Sequence, residues 1–194
     1  MKILILSLLL AYSITISAQD QLTTHMTSAQ TNYQSGDLEE TRFALQQSLN
    51  ELYLLISKEV LAVLPQQLGT AQAVGDADQY NGALLGYTGV FIDRTYESSD
   101  RQKNINISLI HDSPLMSSLG SFLASPIMSM ATGRKRLKVD GYKGALEHET
   151  DEYVLYVPFS QSLLTVTFSG YDSETEVIGL ANQLPVTKVV AIVE

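Results

Sequence analysis

The sequence predicts an α+β protein, with an N-terminal helical hairpin followed by an antiparallel sheet packed with helices on one face. Two observations carry this prediction. Apolar residues recur at three- and four-residue steps up to residue 65, and at alternate positions in several segments after residue 82. Strands and helices do not alternate strictly in that second region, which favours an antiparallel sheet over a parallel one.

The first 18 residues have the plan of a secretory signal peptide. Lys2 precedes an apolar run over residues 3–16, and the small residues Ser17 and Ala18 follow it. The run is shorter than the roughly 20 apolar residues that a spanning helix needs, so a retained anchor is the less favoured alternative. We therefore expect an exported protein, periplasmic or secreted, that is cleaved after Ala18.

Composition limits the classes of partner that the chain suits. It has 21 acidic and 12 basic side chains, a net charge of -9 and 45% hydrophobic residues. The hydrophobic content is sufficient for a folded core, and the acidity disfavours nucleic acid and anionic lipid surfaces as partners. The chain has no cysteine, so it is expected to fold without disulfides and without a cysteine-linked lipid.

Residues 19–65 are predicted to form the helical hairpin. Asp37, with Glu40 three residues later, has the capping-box pattern at the start of the second helix, and Pro65 ends that helix. We expect Leu49 and Ile56, which share the apolar stripe of this helix, each to be buried against the sheet domain or the first helix. The members of the stripe are Leu38, Leu45, Leu49, Leu52, Ile56, Val60 and Val63.

The hairpin resembles a single tetratricopeptide unit. Ala29, Tyr33, the turn glycine Gly36 and Leu45 stand where that family has its small residue, aromatic, turn glycine and packing leucine. The resemblance covers about 40 residues and implies two antiparallel helices. Thr41 and Ser48 replace small alanines of the family pattern, and no second repeat follows. A hairpin that packs on the domain behind it is therefore expected.

Residues 66–81 are predicted to be a linker or exposed loop, and residues 82–194 an α+β domain. A kink or bulge is expected at residues 141–144, and residues 186–193 fit either a short helix or an edge strand. The element order loosely resembles small exported domains of the PsbP type. Strands are predicted at residues 86–94, 105–109, 134–140, 145–149, 153–159 and 163–168, and helices at 112–132 and 173–184.

No specific catalytic, cofactor or metal motif is present in the sequence. His25, His111 and His148 lack the spacing of metal ligands, and His148 and Glu147, as neighbours in a strand, point to opposite faces. The acidic run at residues 76–82 departs from a calcium loop at its third ligand and its glycine. We therefore predict no catalytic residue, metal or cofactor.

The segment 113–133 carries no charge, and its composition suggests a contact surface. Its flexible methionines suit a protein partner or an apolar ligand, although a core helix has the same composition. The residues proposed for contact are Met116, Phe122, Met128 and Met130.

Three functions are consistent with these observations. The first is an exported non-enzymatic accessory or binding protein, in which the helical hairpin and the segment 113–133 provide the contact surfaces. The second is an exported hydrolase with an unrecognised site, and the third is a structural partner in an envelope complex. A pocket lined by convergent polar groups would favour the enzyme, and an exposed apolar strip would favour binding.

Overall fold

The computed structural model describes residues 18–84, 87–114 and 134–194. Two helices, α1 (Ala18–Ser35) and α2 (Leu38–Val63), form the predicted hairpin. Gly36 joins them with a φ of +81°, which glycine adopts without strain. The carboxylate of Asp37 accepts a hydrogen bond from the Glu40 N–H at 3.1 Å, which confirms the predicted cap of α2.

A single antiparallel sheet follows the hairpin. The strands in the described residues are β1 (Gln67–Leu68), β2 (Ala71–Ala73), β3 (Gln79–Leu84), β4 (Tyr87–Glu97), β5 (Asn104–His111), β6 (Lys135–Val139), β7 (Tyr142–Glu149), β8 (Glu152–Phe159) and β9 (Ser162–Ser169). Their order in the sheet is β1-β2-β4-β5-β9-β8-β7-β6, and β3 also pairs with β4.

Two short helices close the chain, α3 (Glu174–Ala181) and α4 (Val186–Val193). Ser173 caps α3 as predicted, because its hydroxyl accepts a hydrogen bond from the Glu176 N–H at 3.3 Å. The open alternative at residues 186–193 is resolved as a helix. Its buried valines recur at three- and four-residue steps, which gives it one apolar face.

The core lies between the sheet and the helices α2, α3 and α4. Ile107 of β5 pairs with Val166 of β9 at the centre of the sheet, and both are almost fully buried. Residues next to them along each strand, such as Ser108 and Thr165, point to the opposite face and are polar. The α+β class, with helices packed on one face of an antiparallel sheet, is confirmed.

Two side chains of β4 form hydrogen bonds that connect the C-terminal end of α2 to the sheet. Arg94 donates to the carbonyl oxygen of Leu61 at 2.8 Å, and the hydroxyl of Tyr96 donates to the carbonyl oxygen of Pro65 at 2.9 Å. The guanidinium group of Arg94 also donates hydrogen bonds to both carboxylate oxygens of Asp78, at 2.9 Å and 2.5 Å. The carbonyls left unpaired at the helix end are thus satisfied by a buried cation.

The segment predicted as a linker contains secondary structure. Residues 67–73 form β1 and β2, and Gln79 begins β3. Leu68 and Ala71 are completely buried in the core. The expectation of an exposed loop is wrong here, because two-residue and three-residue strands are too short to show a period in the sequence.

The kink predicted at residues 141–144 is also wrong. Asp140 and Gly141 have φ values of +48° and +87°, and Val139 pairs with Tyr142 across them. The chain therefore reverses in a two-residue hairpin turn between β6 and β7. An Asp-Gly pair is the preferred sequence for such a turn, because both positions need positive φ.

Candidate functional site: an exposed apolar face on the hairpin

The described residues include eight large hydrophobic side chains that are exposed, and seven of them lie on α1 and α2. Tyr33 is 68% exposed, Leu38 67% and Leu45 55%. We call six of the seven the hairpin face, because they lie on one side of the hairpin. The hairpin face consists of Met26, Tyr33, Leu38, Leu45, Leu49 and Leu52.

The contact between α1 and α2 is made by small residues, so the large side chains of the hairpin face do not pack between the two helices. Ala29 of α1 and Ala44 and Ser48 of α2 are buried where the two helices pack together. The Ser48 hydroxyl donates to the Ala44 carbonyl oxygen at 2.8 Å, so it needs no other partner. The contact thus buries little apolar surface, and the hairpin keeps much of its hydrophobic area available.

A groove runs between the two helices on this side. It has a volume of about 670 Å³ and is lined by apolar and hydroxyl side chains. Met26 and Tyr33 come from α1, and Leu45 comes from α2. Thr23, Thr27 and Thr41 add polar groups without charge.

The hairpin face continues along α2 into the core. Leu38, Leu45 and Leu52 are spaced by seven residues, and the same spacing leads from Leu49 to Ile56. Seven residues make almost two helical turns, so these side chains share one side of the helix. Ile56 packs against the core, whereas Leu49 is 38% exposed.

The expectation that Leu49 is buried is therefore wrong, whereas Ile56 is partly buried as predicted. The sheet extends only far enough to cover the C-terminal half of the stripe, where Val60 is 1% exposed. Four leucines on that stripe remain in solvent, and a sequence period cannot show where the covering surface ends. The contact residues predicted at Met116, Phe122, Met128 and Met130 lie outside the described residues.

A histidine and a serine form the arrangement closest to a catalytic pair. His111 Nδ1 lies 2.8 Å from Ser162 Oγ, at the end of the central strands. Burial lowers the pKa of His111, which keeps its ring neutral and able to accept a proton. However, Ser162 is only 1% exposed, so a substrate carbonyl cannot reach its oxygen in this arrangement.

The carboxylate next to this pair has a structural contact. Asp112 accepts a hydrogen bond of 2.6 Å from the Tyr53 hydroxyl, and burial together with this carboxylate raises the pKa of Tyr53. Asp112 also has a φ of +50°, and its N–H donates to the Gln161 carbonyl at 3.1 Å. The contact between Tyr53 and Asp112 connects α2 to the sheet.

The other residues considered for metal binding are dispersed. His148 stacks on Tyr153 with ring centroids 4.3 Å apart, while Glu147 binds Arg134 at 2.7 Å. Asp78 of the acidic run is held by Arg94. In the part of the chain that the structure describes, no group of three or more metal-ligating side chains comes together.

Comparisons with protein-family models, curated proteins and solved structures give no match to this chain. None of the described helices is by itself long and apolar enough to cross a membrane. The pair α3 and α4, bent by 45°, meets the length and composition criteria only when both helices are taken together.

Proposed function

We propose that this is an exported, non-enzymatic binding protein whose hairpin face holds an amphipathic helix of a protein partner. The observation that carries the proposal is the concentration of exposed large hydrophobic side chains on α1 and α2. Single exposed apolar residues are common on protein surfaces, whereas a contiguous apolar patch typically marks a contact site.

A helix is the occupant that fits the shape of this surface. The groove is open and is lined by apolar and uncharged polar residues of two adjacent helices. Amphipathic helices bind such grooves through apolar side chains at three- and four-residue steps. Each square ångström of apolar surface buried in this way contributes about 25 cal/mol before the costs of association.

The charge of the hairpin favours a basic partner. Residues 18–63 contain six carboxylates and two cationic side chains. A second copy of this acidic chain, or an anionic bilayer, would meet repulsion at the same surface. A helix with lysines or arginines beside its apolar stripe is complementary to both the groove and its surroundings.

A synthetic helix tests the proposal in place of the natural partner. The probe is a labelled peptide of about 20 residues, with leucine on one side and lysine on the other. We expect it to bind, and we expect Leu45→Ser to weaken binding at least tenfold. The matched control is Phe43→Ser, because Phe43 is 53% exposed on the opposite side of α2.

Methionine oxidation gives an independent readout on the unmodified protein. Met26 is 57% exposed and lines the groove, so mild oxidant should convert it rapidly in the free protein. The bound peptide should protect it. Absence of peptide binding, or equal losses in both serine variants, would contradict the proposal. A dimer that Leu45→Ser dissociates would assign the surface to a second copy.

Export is part of the proposal and rests on the signal-like residues 1–18. Mass spectrometry of the protein from its native source should find an N-terminus near Gln19. Recovery of the full-length chain from the cytoplasm would contradict export.

The alternative function, hydrolysis, is favoured by the contact between His111 and Ser162. A fluorophosphonate probe, which labels activated serines, tests it directly. Labelling of Ser162 that His111→Ala abolishes would replace the binding proposal by an enzymatic one. Since Ser162 is almost completely buried, we expect no labelling.

A further inference from the structure

Positive charge is concentrated on the strand at one edge of this acidic protein. Residues 134–143 contain five of the twelve lysine and arginine side chains, in a chain with a net charge of -9. Most of these residues belong to β6 and to the start of β7. They are Arg134, Lys135, Arg136, Lys138 and Lys143.

Arg134 and Lys135 form ion pairs with carboxylates of the described residues. Arg134 binds Glu147 at 2.7 Å, and the ammonium group of Lys135 donates to Glu174 of α3. The alternation of β6 directs Leu137 toward the core, so that Arg136 and Lys138 point away from the helices. Arg136 and Lys138 are both exposed.

Lys138 lies directly opposite Lys143 in the pairing of β6 with β7. Like charges in directly opposed positions destabilise a sheet. No carboxylate of the described residues lies within ion-pair distance of either lysine. An anionic group bound next to them would remove this repulsion.

The backbone of β6 offers a second means of recognition. β6 is the last strand in the order of the sheet, and among the described residues it pairs only with β7. Every second N–H and C=O group of an edge strand points away from its neighbour. Such an edge can accept a further strand.

We propose that β6 is a docking edge for an extended acidic segment of another protein, which adds to the sheet as a tenth strand. Backbone hydrogen bonds to β6 hold the segment in register, and its carboxylates lie beside Lys138, with Lys143 one strand further in on the same face. This mode of binding obtains affinity from the main chain and specificity from alternate side chains. The edge belongs to the sheet and is separate from the hairpin face.

The charges also select against other occupants. If two copies paired through β6, Arg136 and Lys138 of one would face the same cations of the other. A nucleic acid or an anionic bilayer requires a broad positive field, which a chain of net charge -9 does not provide. Cationic edge strands also prevent aggregation, and this role alone would require no ligand.

A capped peptide of alternating glutamate and valine serves as the probe, followed by fluorescence anisotropy. We expect saturable binding to the intact protein. Lys138→Glu should weaken it at least tenfold and should instead allow a lysine–valine peptide to bind. The matched control is Lys188→Glu, on the exposed side of α4, which should bind the acidic peptide as the unchanged protein does.

Backbone recognition is tested by N-methylating alternate residues of the same peptide, which keeps its charge but removes the donors of a strand. Loss of binding on one of the two alternate patterns supports strand addition. Equal binding of both methylated peptides, or tighter binding of oligothymidylate or phosphatidylglycerol vesicles, overturns the proposal. If the acidic peptide does not bind, the proposal is also overturned. The cations of β6 then serve only to prevent aggregation through this edge. The Leu45→Ser variant should bind the acidic peptide as the unchanged protein does. The test of β6 can therefore fail or succeed independently of the test of the hairpin face.

Discussion

Arg94 shows how a single residue connects two elements that are distant in the sequence. It lies on β4 at a position that points into the core, and its side chain is 6% exposed. The sequence contains a signal for this contact, because a cation among inward-facing apolar residues must be paired with an acidic one. Which carboxylate supplies the partner depends on how β3 pairs with β4, and the residue pattern does not show that pairing.

Replacing Arg94 tests this connection. Arg94→Met leaves Asp78 and the carbonyls at the end of α2 without their donor, so we expect a loss of about 3–5 kcal/mol in the free energy of unfolding. Arg94→Lys keeps the charge but loses the planar fork, and its loss should be smaller. Urea unfolding at constant m-value measures both. An unchanged midpoint for Arg94→Met would show that the end of α2 is held by packing alone.

Asp93, the neighbour of Arg94, points to the polar face of the sheet. Burial raises the pKa of Asp93, while a hydrogen bond from Ser108 lowers it by less. The folded state therefore prefers the protonated carboxyl. Stability from this group is present below the unfolded-state pKa of about 3.9 and is lost as the pH rises through the folded-state pKa.

Asp93→Asn should remove the loss of stability that ionisation of the Asp93 carboxyl causes at higher pH. We expect a higher urea midpoint than the unchanged protein near neutral pH, and no difference below a pH of about 3.9. Urea titrations at the two pH values measure the effect. A midpoint near neutral pH that falls on substitution would show that the ionised carboxylate makes a favourable contact.

At the scale of elements, α2 combines two environments along one apolar stripe. Its C-terminal half packs on the sheet, and its N-terminal half carries three of the six residues of the hairpin face. The helix and its cap could be predicted from the sequence because capping and period are local properties. The exposure of Leu49 could not be predicted, because it depends on the extent of a sheet formed later in the chain.

Alanine substitutions along α2 measure the difference. Leu61 is 7% exposed, so Leu61→Ala should cost about 2–5 kcal/mol in the free energy of unfolding. Leu49 is 38% exposed, and Leu49→Ala should cost distinctly less. Chemical denaturation of the two variants under one set of conditions gives the comparison. Equal losses would show that the first half of α2 is covered in solution.

For the whole molecule, the main result beyond local prediction is the position of β9. Alternating patterns identify β5 and β9 as strands, and the polar alternate residues indicate one uncovered face. Their pairing at the centre of the sheet joins residues far apart in the sequence, which no local pattern reveals. The Asp140–Gly141 turn, by contrast, is a local signal for the pairing of β6 with β7.

Local stability should be highest in the central strands of the sheet and lower in the helical hairpin. Amide hydrogen exchange should be slowest in β5 and β9, which are paired on both sides and packed under the helices. It should be faster in α1, where Ala29 is the one described side chain that is buried. Exchange followed by mass spectrometry checks this order. Equal protection of α1 and β5 would mean that the hairpin and the sheet unfold as one unit.

The central pairing also determines when the protein can fold. β5 emerges from the ribosome well before β9, and loop closure over that separation is slow compared with local hairpin formation. Until residues 162–169 arrive, β5 keeps one long edge without its partner, beside Ile105, Ile107 and Leu109 on its apolar face. A chain that stops short of Ser162 should therefore aggregate through β5, whereas a chain that loses only α1 should remain soluble.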